Sequence, residues 1–409
     1  MSPGPEGGPL AGVRVLEVAQ WVMAPGAGAI LTDWGAEVIK IEDPVRGDAI
    51  RGLNAQNASI GYRHMVHNVN RGKRSLGLDL RTPKGRELLF QLVETCDVFL
   101  TNFLPGARSR LGIDVDDVRA RNPSIVYARG SGVGPRGAEA DSGGYDFAQF
   151  WARAGLGEVH HNPELTYPLA ANAQFGDLIS ATVLAGGIAA ALLKRERTGE
   201  APVVDVSLLG VGAWTICQDV IVSDAGELGY QLPKLPRHKF PNPLTNVFRT
   251  ADDRFISIVL LQSDREWPSL CRHLGAPGLS ADARFADARA RHRNAVELLE
   301  ELDRLFASKT LSEWTQRFAD ADFVWSAYQT PGEVAADPQV VANDYVLSVD
   351  GAEGTTAPSR MVATPVQFDE QSTRPRPAPE HAEHTEQILL EVGLDWPEIL
   401  ALKEAGVIT

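Results

Sequence analysis

Gln174-Phe-Gly-Asp177 opens the stretch that organises this chain. Residues 178–193 follow as an almost unbroken apolar run, then Lys194, Arg195 and Arg197, then Gly199. An acid at the front, cations at the back and a glycine just beyond are the marks of a buried helix. Asp177 is thereby placed where about four backbone N–H groups lack a helical partner. Two readings stand side by side. Asp177 caps the helix, or its carboxylate is kept ionised by those amides and serves as a nucleophile.

The surrounding chain supplies a frame for that helix. Val13-Arg-Val-Leu-Glu-Val-Ala19 and Ala36-Glu-Val-Ile-Lys-Ile41 read as buried strands around a short helix over 25–34. Asp97-Val-Phe-Leu100, Ser124-Ile-Val-Tyr-Ala128 and Val203-Val-Asp-Val-Ser-Leu208 repeat the strand signal, and Thr82-Pro83 opens a helix to about Glu94. Alternating strands and helices predict an α/β fold with a doubly wound parallel sheet, whose ligands gather at the strands' carboxyl ends. The loops at 20–26, 42–51, 102–110 and 129–134 are therefore candidates for one shared site. A helix is expected from Leu209 to about Val222. Beyond it, Pro233, Pro236, Pro241 and Pro243 mark a connector into a smaller α+β unit, with a capping box at Thr310-x-x-Glu313.

Composition narrows the function. The chain has 409 residues, 44% hydrophobic, with 39 Lys and Arg against 53 Asp and Glu, a net charge of −14. That balance disfavours nucleic acid and anionic membrane as partners. The first eight residues lack the basic and apolar regions of a signal peptide, and the 178–193 run is shorter than the ~20 residues of a span. Three scattered cysteines fit a reduced, cytoplasmic setting. Between Arg46 and Arg86 the balance inverts: nine basic residues face two acids, an arrangement suited to a ligand carrying several phosphates. No P-loop is present there, and Gly26 and Gly28 lack the third glycine of a dinucleotide fingerprint, Leu31 holding its place. The nine histidines are not spaced as metal ligands, and no Gly-x-Ser-x-Gly elbow occurs.

Eight short motifs, in order, resemble the class III CoA-transferases of the CaiB/BaiF type, a family that includes formyl-CoA and carnitine CoA-transferases and α-methylacyl-CoA racemases. They are Pro9-Leu-x-Gly-x-Arg-Val-Leu-Glu17, Gly35-Ala-Glu-Val-Ile-Lys-Ile-Glu42, Gly47-Asp-x-x-Arg51, Arg71-Gly-Lys-Arg-Ser-Leu-x-Leu-Asp-Leu80, Asn102-Phe-x-Pro-Gly106, Gly176-Asp177, Thr198-Gly199 with Val204-Asp-Val-Ser207, and His384-Thr-x-x-Ile-Leu with Gly406-Val-Ile408. The resemblance implies a Rossmann-like large domain from both chain ends (1–225 and 341–409), a small inserted domain (226–340), and a homodimer of interlocked rings. It makes Asp177 the catalytic aspartate. It places CoA contacts on Val22, Met23, Arg51, Leu78, Arg81, Asn102, Phe103, Arg110, Leu111 and Tyr145. CoA enters as a substrate with a small carboxylic acid as its partner, and no metal or permanently bound cofactor is expected.

The chemistry follows from that placement. An acyl group exchanged between acids needs an adduct as energetic as a thioester, which a carboxylate supplies as a mixed anhydride. The amides near Asp177 are expected to lower its pKa and to hold developing oxyanions. Racemases of the family carry a Gly-His-Asp segment for a second base. Here it reads Gly144-Tyr145-Asp146, with His160 and His161 as remote substitutes. The region matching the glycine-rich lid of formyl-CoA transferases reads His238-Lys-Phe-Pro-Asn-Pro-Leu244. A racemase and a non-catalytic binder of CoA esters are the competing readings.

Overall fold

A computed structural model describes residues 8–57, 60–162, 165–172, 174–224, 236–351, 353–354 and 356–409. The chain divides into two compact units, one of Met1–Tyr230 with Gln339–Thr409 and the other Gln231–Pro338. The expected domain boundary at 225/226, Pro233, and most of the first eight residues lie outside the described residues.

The larger unit is built on six parallel strands: β1 (Arg14–Val18), β2 (Glu37–Glu42), β3 (Arg74–Gly77), β4 (Val98–Thr101), β5 (Val126–Ser131) and β6 (Val203–Ser207). Their order across the sheet is β3-β2-β1-β4-β5-β6. The order reverses between β1 and β4, where Val15 faces Val98 and Val18 faces Thr101. At such a switch point the connections leave in opposite directions and open a crevice at the strands' carboxyl ends.

Helices cover both faces. In chain order they are α1 (Met23–Asp33), α2 (Ala49–Asn57), α3 (Ile60–Asn70), α4 (Pro83–Val93), α5 (Pro105–Leu111), α6 (Val115–Arg119), α7 (Leu156–Val159), α8 (Phe175–Thr198), α9 (Leu208–Thr215) and α10 (Cys217–Asp224). Period-2 alternation assigns the strand residues to two cores. Leu16, Ile39, Leu76, Phe99 and Tyr127 pack under α4 and two C-terminal helices, Thr385–Glu391 and Trp396–Glu404. Val15, Val38, Val98, Leu100, Val126 and Ala128 pack on the other face under α1 and α8.

Helix α8 starts three residues before the 178–193 run and ends five after it. At 24 residues, with an 18-residue stretch of mean hydropathy 1.7, it is long and apolar enough to cross a membrane by length and composition alone. Here Ala181, Leu184, Ala185 and Ile188 are buried with α1 against the sheet. Gly199 ends the helix with φ 73°, as the sequence predicts. The expected 209–222 helix is broken at Ile216, whose φ of −113° leaves the helical region. Two helices not anticipated, α2 and α3, lie in the basic stretch, and Phe147–Arg153 forms a π-helical turn.

The smaller unit has a three-stranded antiparallel sheet of Thr245–Arg249, Phe255–Val259 and Val324–Ala327. Helices bury Trp267, Phe306 and Trp314 around it. The Thr310–Glu313 capping box is present.

Candidate active site

The cleft at the switch point is assembled from four strand ends. Its wall consists of Trp21 and Met23 after β1, Asn102 to Pro105 after β4, the 130–134 loop after β5, and Asp205 and Leu208 at β6; Tyr145 and Asp177 complete it. It holds about 740 Å³, counting its open mouth. Two hydrogen bonds fix the split: the Gln20 N–H donates to Asn102 Oδ1 at 3.0 Å, and Asn102 Nδ2 donates to the Gln20 carbonyl at 2.6 Å. The Trp21 N–H donates to Asp48 Oδ1 at 3.0 Å and so ties in the 42–51 loop. Trp21 itself is left-handed, with φ 70°, a conformation costly for any residue but glycine. Its ring meets that of Tyr145 edge-on at 5.5 Å.

Asp177 sits in the first turn of α8, as its third residue. The cap position belongs to Gln174, which is left-handed at φ 71°. The expectation that Asp177 caps its own helix is thus corrected. The reason lies in a second acid. The Gly176 N–H donates to Asp146 Oδ2 at 3.0 Å, and the Asp177 amide favours the same carboxylate. A Cβ on Gly176 would collide with the Phe150 ring and with Asp146. Glycine therefore lets the turn continue beneath them. Two residues before Asp146 the backbone runs close to the 130–134 loop: a Cβ on Gly132 would fall 2.9 Å from the Gly144 Cα.

The expected lowering of the Asp177 pKa is corrected with it. Burial first, and the charge of Asp146 second, push Asp177 up to about 7. No hydrogen bond or ion pair within the described residues reaches its carboxylate. The site therefore holds a carboxylate that is half ionised near neutral pH, unbonded, and open to a cleft.

The other predicted residues fall into two groups. Met23, Asn102, Phe103 and Tyr145 line the cleft with Asp177. Val22 is buried with Ile50, Val66 and Val69, Leu111 is half-buried beside the larger core, and Leu78 is core, bridged to Ile408. Arg51 forms a two-pronged pair with Glu42, both contacts 2.8 Å. Arg81 and Arg110 are exposed, Arg81 paired with Asp79 at 2.8 Å. His160 and His161 are absent from the cleft wall; the ring of His160 stacks on Trp151 at 5.8 Å.

The basic excess over 46–86 is largely consumed by pairing. Arg71 binds Asp33, Lys73 binds Glu17, Arg74 binds Glu37 and Glu391, and Lys84 binds Glu87, all within 2.9 Å. The sequence shows the cations as a run but not their partners, most of which sit on distant strands and helices. It also missed Arg108, Arg129 and Asp205. Arg129 forks onto Asp205 at 2.6 and 3.0 Å, and Arg108 donates to the Phe103 carbonyl at 2.7 Å. The available signal was that Arg108, on α5, and Arg129, near the end of β5, fall within the 102–110 and 129–134 stretches, while Asp205 lies inside strand β6. Among the described residues no group of three or more His, Cys, Asp or Glu is gathered as metal ligands would be.

A six-stranded parallel sheet with an open crevice and a poised carboxylate defines an α/β enzyme working at strand ends. Residues 10–385 match the sequence pattern of CoA-transferase family III. A probable fatty acyl-CoA transferase of Mycobacterium tuberculosis is 35% identical over 384 residues, covering 91% of this chain and 96% of that protein. The (R)-2-hydroxy-4-methylpentanoate CoA-transferase of Clostridioides difficile is 29% identical over 403 residues, covering 98% and 99%. A CaiB/BaiF family protein of Brucella suis, solved as a crystal structure, superposes with TM-score 0.81 at 28% identity, covering 94% of this chain and 99% of that one. The chain belongs to CoA-transferase family III and is a CoA-transferase.

Proposed function

We propose that this enzyme moves CoA from an acyl-CoA donor to a carboxylic acid acceptor, with Asp177 as the nucleophile. An Asp177 oxygen attacks the thioester carbonyl, the C–S bond breaks, and CoA leaves as thiolate. The thiolate attacks the aspartyl carbonyl of the resulting anhydride, so that the donor acid departs and an aspartyl-CoA thioester remains. The acceptor carboxylate attacks that thioester, returns the thiolate and forms a new anhydride. Thiolate attack on its acyl carbonyl releases the new acyl-CoA and frees Asp177. Each adduct keeps the energy of a thioester, which a serine ester would lose.

The observation carrying this reading is the Asp177 carboxylate, unbonded at the cleft wall with its pKa pushed up to about 7. A more basic carboxylate is a stronger nucleophile, and one near neutrality still supplies a large ionised fraction. Met23, Asn102, Phe103 and Tyr145 border the thioester end in this reading, and the exposed Arg81 and Arg110 meet phosphates. Val22, Arg51, Leu78 and Leu111 support these walls from behind. Exposed Trp214 on α9 and Ile221 on α10 supply apolar surface for a homodimer of interlocked subunits. The three cysteines are free, which suits a cytoplasmic protein.

Asp177→Ala tests the assignment. The variant is expected to lose transfer by at least about 10³-fold, in line with loss of a covalent nucleophile. Mass spectrometry of the wild type incubated with acyl-CoAs should find CoA attached at Asp177. Unimpaired transfer in Asp177→Ala would remove the mechanism.

A further inference from the structure

Asp146 lies thirty residues before Gly176, yet its carboxylate closes the amino end of the helix that bears Asp177. It is buried, and its second oxygen, Oδ1, has no hydrogen-bond partner. A neutral acceptor could also satisfy the Gly176 amide, though less strongly than a carboxylate. What a charge at this point does is act on Asp177 through the same short turn.

We propose that Asp146 is a positioning residue for CoA transfer: it holds the helix end carrying Asp177 and supplies the negative field in which that nucleophile works. This rests on the reading of Asp177 given above. The other charges around the site are already engaged. From β5 and β6, Arg129 and Asp205 neutralise each other. From α5, Arg108 is held by Asp114 and the Phe103 carbonyl. From the π-helical turn, Arg153 is paired with Glu139, and His160 stacks on Trp151. Tyr145 faces the cleft beside Trp21. On the opposite side of the α8 start, Arg71 is bound to Asp33, and His64 faces a separate cavity with Gln174 and Leu178. α8 itself carries no further charge before Lys194. Asp146 is thus the nearby charge left to act on Asp177, and it is the one charged neighbour whose field raises the Asp177 pKa.

The paired carboxylates give the site a division of labour. One is fixed by a backbone amide and does not meet substrate. The other, with no donor of its own, is made more basic by its neighbour and so attacks more readily. Burial remains the larger influence on Asp177, so removing the Asp146 charge lowers its pKa only part of the way.

The test uses full-length protein and a water-soluble carbodiimide with glycine ethyl ester, which labels protonated carboxyls. Labelling of Asp177 is read by peptide mass spectrometry from pH 4.5 to 9. In the wild type the midpoint is expected near 7. In Asp146→Asn, which keeps an acceptor for Gly176 but no charge, it is expected to fall by about one unit, the size of effect a single neighbouring charge produces. The pH profile of CoA-adduct formation should move with it, and the rate at pH 9 should fall about two- to threefold because the ionised Asp177 is then a weaker base. An unmoved midpoint would overturn the proposal. Asp146→Ser provides a second neutral acceptor should the asparagine fold poorly. Collapse of both neutral variants would also overturn it, because the fold would then need the charge itself. Failure of the nucleophile reading shows differently: Asp177→Ala would still form the adduct, whatever the labelling midpoint does.

Discussion

Asp177→Asn should make the protein more stable at alkaline pH while abolishing its activity. A carboxyl whose pKa rises on folding from the ordinary 3.8 to about 7 is held protonated by the fold. Its contribution is fully present below the unfolded value and is lost as pH rises through the folded one. Each pKa unit corresponds to about 1.36 kcal/mol, so the ionised form costs the native state up to about 4 kcal/mol above pH 7. Asp177 opens onto cleft water, which screens the burial, and about 2 to 4 kcal/mol is the working range. Asparagine mimics the protonated form. The assay is urea denaturation followed by circular dichroism at pH 4, 6 and 8.5, wild type against Asp177→Asn. The variant should exceed the wild type by about 2 to 4 kcal/mol at pH 8.5, and the gap should close towards pH 4. Background titrations cancel in the difference. A variant no more stable at pH 8.5, or a gap independent of pH, would refute the raised carboxyl.

Two further substitutions probe what holds the site. Lys73→Met removes a fully buried ammonium 2.7 Å from Glu17 that also donates to the Pro25 carbonyl at 2.8 Å. It should lower the unfolding free energy by about 3 to 5 kcal/mol, as breaking buried pairs does, and unchanged urea midpoints would show that Lys40 alone satisfies Glu17. Gly176→Ala drives a methyl into Phe150 and Asp146. It should cost about 1 to 3 kcal/mol in denaturation, the usual penalty of overpacking, and transfer should fall by more than tenfold; wild-type transfer would mean that the turn can shift without moving Asp177.

Most of the sheet was legible because its signals are local. Val15, Leu16 and Val18, Val38, Ile39 and Ile41, and Val98 to Leu100 put apolar residues on both faces, as strands buried on two sides do. The carboxyl end of α8 was legible for the same reason, since Gly199 supplies the left-handed residue that stops it. Its amino end was not. Gln174 is not a residue type that announces φ 71°, and the amides of the first turn find their acceptor thirty residues away. Helix α2 was overlooked because its sequence, Ala-Ile-Arg-Gly-Leu-Asn-Ala-Gln-Asn, carries Gly52 and little apolar character. The basic stretch misled in another way. Charge along a chain says nothing of the acids that β2, α1 and the C-terminal helices bring to it. The motif at 71–80 and the terminal Gly406-Val-Ile408 could both be quoted from the sequence, but not that they meet, through Asp79 N–H to the Val407 carbonyl at 2.8 Å and the Leu78–Ile408 bridge.

The cleft gathers several unfavourable features, and the charges buried below it account for their survival. Trp21 and Gln174 are both non-glycine residues in the left-handed region, at roughly 1 to 3 kcal/mol each. Asp177 adds a carboxyl kept away from any donor. Below Trp21 lie Lys40, Glu17, Lys73 and Asp48, all fully excluded from water and linked at 2.7 to 2.9 Å. Lys40 also donates to the Ala19 carbonyl at 2.8 Å, and Asp48 accepts from the Trp21 amide. The two lysines face the two carboxylates in mutual contact, and although burial lowers Lys73 to about 7, no carboxylate is left to be desolvated alone. Lys40, Lys73 and Asp48 also bond to the 19–25 segment, at the Ala19 carbonyl, the Pro25 carbonyl and the Trp21 amide. Burial of such a network adds little to stability compared with an apolar core. What it adds is geometry, because the bond from the Trp21 amide to Asp48 holds that residue at φ 70° while Lys40 and Lys73 fix the segment on either side. The strained wall and the unbonded Asp177 carboxylate thus meet in the crevice that the strand ends define, one held by the buried charges and the other by the start of α8.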